Sequence, residues 1–114
     1  MAGSLVGGAA IAAGTFETGR AIYQARCAAC HSAEFNGVGP AHKGVYGRRI
    51  GQAPGYEYSP ALKAATGRWT EENLDRWLSD PEKYLPGQKM GINLDSAADR
   101  ANVIEYLKNL SARE

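Results

Sequence analysis

Apolar positions recur at helical spacing in three stretches of this chain. From Ser96 to Leu110, Val103, Ile104, Tyr106, Leu107 and Leu110 make one stripe, with Asp95 or Ser96 as cap. From Trp69 to Ser79, Leu74, Trp77 and Leu78 carry the apolar face. Thr70 is the cap there, Glu71 and Glu72 suit the positive helix end, and Trp69 can staple to Leu74. Asp80-Pro81 ends or interrupts that helix. From Phe16 to Ala29, Phe16, Ile22, Tyr23 and Arg26 give a mixed face behind Thr15 or Thr18. Gly19 lies inside this helix at a cost of about 1 kcal/mol relative to alanine, which predicts close approach of another helix.

Between these stretches the pattern fades. Ser32 to Gly55 is dense in glycine and reads as one long loop, a feature that usually carries function. Pro60 to Ala65 predicts a short helix capped by Ser59. Tyr84 to Met90 reads as extended and non-helical, and no β run is credible. The expected class is therefore all-α: three main helices with short helices and loops. Residues 1–14 are small and apolar, without Lys or Arg, and too short to span a bilayer. Ala10-Ile11-Ala12 is like a signal-peptidase site, so 1–14 is read as a signal or anchor remnant or an unstructured end. The expected domain is 15–114.

Composition narrows the function. At 114 residues the chain holds one modest core, and a formal charge of +1 gives no support to nucleic-acid binding. Its chemistry concentrates in Arg26-Cys27-Ala28-Ala29-Cys30-His31. Two thiols flank two residues and an imidazole follows at once, the attachment signature of a c-type haem. On a helical turn both sulfurs face one side and can form thioethers to the haem vinyl groups. His31 can then donate a ring nitrogen to the iron. A zinc site would need a second CxxC or a Cys/His pair at finger spacing, whereas the chain has no third cysteine and His42 as its one other histidine; a redox dithiol would need a βαβ pattern, which the sequence lacks. For the opposite face of the iron the candidates are His42, Met90, a lysine or water. Met90 is favoured, because it follows Pro86-Gly87 on a stretch with no period to bury a core residue. His42 is read as a surface or partly buried histidine.

The stretches CAACH, GVGP, GVYGRRIGQAPGYEYS, GRWTEENLDRWLSDPEKYLPGQKM and DRANVIEYLKNL together resemble the class I cytochromes c, of the mitochondrial and bacterial photosynthetic type. The resemblance runs from about Phe16 to Leu110. It implies the cytochrome c fold around one covalent haem c and an electron carrier rather than an enzyme. It implies thioethers at Cys27 and Cys30, His31 and Met90 as axial ligands, and the Pro40 carbonyl as acceptor for His31. Arg48, Tyr58 and Trp69 correspond to haem-propionate partners, and Gly19 and Tyr23 to positions that meet Val103 and Tyr106. The chain departs from the family at four places: His42 replaces a leucine, Trp77 the tyrosine beside the methionine sulfur, Gln88 the threonine that bonds a propionate and Leu62 an asparagine. The resemblance still implies that Trp77 and Gln88 are haem-binding. Expected partners are a quinol-oxidising complex or dehydrogenase as donor, and a terminal oxidase, reductase or photosynthetic centre as acceptor. A positive docking face is expected if Arg26, Lys43, Lys83 and Lys89 ring the haem edge. The expected protein is a monomer of the periplasm, free or tethered through 1–14, with the mitochondrial intermembrane space as second choice. The rival reading is a haem peroxidase or gas-binding sensor with a labile methionine ligand.

Overall fold

The computed structural model describes residues 15–112. The apolar tail 1–14 lies outside the described residues. Among the described residues five helices follow in order: α1 (Phe16–Arg26), α2 (Pro60–Ala64), α3 (Glu71–Ser79), α4 (Pro81–Tyr84) and α5 (Ala97–Ala112). Among the described residues β structure is limited to one isolated bridge between Arg49 and Arg68. No helix of the described residues is long and apolar enough to cross a membrane.

Helix starts follow side-chain oxygens that can satisfy the unpaired N–H groups of a first turn. Thr15 accepts from the Thr18 N–H at 3.3 Å, Ser59 from Leu62, and Ser96 from Asp99 at 3.1 Å. Thr70 and Asn73 cap each other's backbone reciprocally, with Asn73 in the place a glutamate usually takes. We expect Thr70→Ala to cost about 1 kcal/mol, read as a lowered denaturant midpoint of the haem-loaded protein.

Two boundaries differ from the sequence expectation. Helix α1 ends at Arg26 rather than Ala29, and Cys27–Cys30 forms a separate turn. The Cys30 and His31 N–H groups both donate to the Cys27 carbonyl, at 3.1 and 2.9 Å. Asp80-Pro81 does end α3, but it also starts α4, within a run expected to be irregular only from Tyr84. The Asp80 side chain accepts from the Lys83 N–H, and Pro81 occupies the first turn, where its missing N–H costs nothing.

The core forms where α1 crosses α5 and α5 packs on α3. Val103, Ile104 and Leu107 of α5, Leu74, Trp77 and Leu78 of α3, and Tyr23 of α1 are all buried. Each such side chain supplies about 1.5–3 kcal/mol of burial free energy. At the crossing, a Cβ built on Gly19 would overlap the Asn102 carbonyl and touch Tyr106 Cβ. The predicted close approach is therefore present, with Asn102 and Tyr106 as Gly19's nearest contacts. The Tyr23 and Tyr106 rings lie 4.9 Å apart. The long loop wraps the other side. Gly51 there takes φ +75°, and a Cβ on it would strike the Leu62 carbonyl.

Candidate functional site

Helices and loop leave between them a cavity of ≈ 430 Å³. Cys27, Cys30, His31, Pro40, Arg48, Tyr58, Trp69, Trp77 and Met90 all line it, as do Leu62, Leu74, Leu78, Leu94, Val103 and Leu107. The size suits a small cofactor, and the mostly apolar wall suits a flat apolar ring. Gln88 stands beside Met90 but is not on the lining.

The turn after α1 brings the two free thiols and His31 to one wall. Burial pushes the Cys27 thiol up to about 11, against the pull of Arg26. It is thus a neutral thiol at neutral pH and a sluggish partner for a disulfide. Burial also holds the His31 imidazole below its usual range, with its bond to Pro40 opposing. A carbonyl can only accept, so His31 Nδ1 carries the hydrogen that it donates to the Pro40 oxygen at 2.9 Å. Nε2 is left with its lone pair available to a metal. The second ring nitrogen of a metal-binding histidine is commonly held in this way. Gly39 completes the seat: a Cβ there would collide with the His31 ring. The sequence offered Gly39 only as part of the GVGP match.

Arg48 is half-buried rather than a solvated loop charge. One terminal nitrogen donates to the Ala41 carbonyl at 3.0 Å, while its buried Nε has no partner. Burial lowers its pKa, with Tyr58 opposing. A buried guanidinium N–H left unpaired is costly. An anionic group at the cavity wall, such as a haem carboxylate, would satisfy it. The Tyr58 hydroxyl accepts from the Ala53 N–H at 2.9 Å. Trp69 bonds Arg48 and Gly47 through its backbone and packs its ring 5.6 Å from that of Trp77. Ser59 is buried on the lining, a polar residue that the sequence marked only as a cap.

Gln88 differs from what the resemblance implied. Its Nε2 donates to Glu82 Oε1 at 2.9 Å, and its buried Oε1 has no partner. As placed, it presents an acceptor where the family's threonine offers a hydroxyl donor. Of the four cations expected at the rim, Arg26 and Lys89 line the cavity mouth, whereas Lys43 and Lys83 lie off it. His42 stands on the same side of the cavity as His31. It lies against His31, ring centroids 4.0 Å apart and planes 16° from parallel, and its Nδ1 is bonded to the Tyr23 hydroxyl.

The family model described as cytochrome c matches residues 16–111. The chain is 42% identical over 100 residues to "Cytochrome c" of Euglena viridis, covering 85% of this chain and 98% of that protein. It is 44% identical over 90 residues to "Cytochrome c2 iso-1" of Magnetospirillum molischianum, covering 75% of this chain and 90% of that protein. Among solved structures, "cytochrome cH from Methylobacterium extorquens" is similar at TM-score 0.81 and 41% identity, covering 84% of this chain and 99% of that chain.

This chain belongs to the cytochrome c family, and its helical fold is the family's. It is a c-type haem electron carrier with one covalently attached haem, and its partners are redox proteins. The residues on the page fit that group. The thiols and His31 share one turn at the cavity wall, the wall is mostly apolar, and the half-buried Arg48 there has a buried Nε without a hydrogen-bond partner.

Proposed function

We propose that Cys27 and Cys30 hold the haem by thioethers and that His31 Nε2 and Met90 sulfur grip its iron from opposite faces. The chain then passes single electrons between respiratory or photosynthetic proteins, with no substrate chemistry of its own. The observation that carries this is the His31 seat: Pro40 fixes the hydrogen on Nδ1 and leaves Nε2 to coordinate, beside two free thiols. When bound, the haem supplies a ferric–ferrous couple, and a methionine sulfur opposite a histidine raises its potential.

The remaining roles fall to this chain. Apolar side chains on the lining exclude water, so little solvent reorganises when the charge changes. Arg48 neutralises a haem carboxylate, and Tyr58 and Trp69 stand beside it. Trp77 lines the same cavity as Met90 and carries no phenolic hydroxyl, so it offers the sulfur no hydrogen bond of that kind. Lys89 and Arg26 at the mouth give docking a mild positive bias, weakened by salt. Covalent haem attachment belongs outside the cytoplasm, so the periplasm is the proposed location, with the mitochondrial intermembrane space as second choice. The proposed donors are a quinol-oxidising complex or dehydrogenase, and the acceptors a terminal oxidase, reductase or photosynthetic centre. We take 15–114 as the haem domain, monomeric.

A peroxidase or gas sensor would need an open iron position with a polar group over it. His42, a polar side chain that could serve there, packs against His31 instead. The oxidised protein should show the weak near-infrared band of sulfur bound to ferric iron; its absence would return the open-site reading. Arg48→Met should lower the reduction potential by tens of millivolts. That is the scale of about 1 kcal/mol of lost charge stabilisation, and electrochemistry of the two proteins checks it.

A further inference from the structure

We propose that His42 is a positioning residue, which sets the rotation of the His31 ring about its bond to the iron and is itself held by Tyr23. The proposal rests on the reading that His31 is the axial ligand.

A ligand ring turns easily about a single metal–nitrogen bond unless its surroundings choose an angle. Two contacts act on His31 from the loop. Pro40 accepts from Nδ1 at 2.9 Å, and the Gly39 backbone lies so near the ring that no Cβ could fit. The third contact is of another kind. The His42 imidazole covers the ring at a centroid distance of 4.0 Å with planes 16° from parallel. A flat ring against a flat ring favours one orientation of the pair, and turning His31 would break the overlap. The leucine usual at this position has no plane to impose.

His42 can set an angle only if its own angle is set. Tyr23 does this twice. Its hydroxyl is hydrogen-bonded to His42 Nδ1 at 2.8 Å, and its ring meets the imidazole edge-on at 5.6 Å and 67°. Tyr23 is buried in the α1–α5 crossing against Tyr106, so it cannot readily yield. The helix junction is thereby joined to the ligand through Tyr23 and His42.

The angle of the ligand plane has a spectroscopic signature. It decides which iron d orbital shares its unpaired electron with the ring, and so how spin spreads over the porphyrin in the ferric state. The order of the paramagnetically shifted haem-methyl proton resonances reports it. The experiment compares the oxidised haem-loaded protein with H42L and Y23F. The expected result is a changed order or spread of those resonances in H42L, and a smaller change of the same sense in Y23F. The near-infrared sulfur–iron band should persist in both. An unchanged methyl pattern in H42L would overturn the proposal, and an unchanged pattern in Y23F would overturn the part given to Tyr23. Loss of the band in H42L would also overturn it, because His42 would then be supporting the fold generally rather than one ring. If His31 is not the ligand, the unaltered protein already lacks the low-spin His/Met spectrum, and that failure is seen before any variant is made.

Discussion

Met90→Ala abolishes the near-infrared sulfur–iron band of the oxidised protein and lowers its reduction potential by about a few hundred millivolts. Axial ligands set haem potentials over a span of ~0.8 V. The thioether is the part of the proposed site that favours ferrous iron, so its loss moves the couple towards ferric. The effect should fall on the haem more than on the fold. Met90 is only partly buried, at the edge of the core cluster on an irregular segment. Covalent attachment through the CAACH turn should survive, so the variant keeps its colour while losing the band. Retention of the band would remove Met90 from the ligand set, and no other methionine of the described residues could replace it.

Gly19→Ala produces the largest loss of stability expected from a single methyl group. On an exposed helix the change would gain about 1 kcal/mol from propensity. Here the added Cβ would overlap the Asn102 carbonyl, which belongs to the backbone of α5 and cannot turn aside. The helices must separate, at a cost of about 3 kcal/mol or more. Separation also strains a second link, because Asn102 Oδ1 accepts from the Thr15 N–H at 2.7 Å at the start of α1. The net loss of at least about 2 kcal/mol is a large share of a domain's 5–15 kcal/mol. Thermal unfolding of the haem-loaded variant checks the sign. An unchanged or raised Tm would mean that the crossing is looser than described.

These expectations divide between what the chain shows in one dimension and what only the fold reveals. The main helices are legible because period and cap agree: Thr15 before Phe16, Thr70 before Glu71, Ser96 before the α5 stripe. Gly19 is legible because a glycine inside a helix has a cost that something must offset. Helix α4 was missed because Asp80-Pro81 signals both a stop and a start, and local pattern does not say which follows. The CAACH turn, Met90 and the GVGP segment could be singled out from spacing and resemblance, but their meeting in one cavity is a property of the fold. So is the fate of Gln88. Its amide donor is engaged by Glu82, six positions earlier on a short helix that the pattern did not predict. His42 shows the limit most clearly. A lone histidine in a glycine-rich loop gives no hint that it will stack on another imidazole or find a buried tyrosine hydroxyl.

The most direct measurement is a crystal structure of the matured protein in both oxidation states. The account predicts one haem joined to Cys27 and Cys30, with His31 Nε2 and Met90 sulfur bonded to the iron in each state. A structure in which the Met90 sulfur stands away from the metal in both states would contradict it.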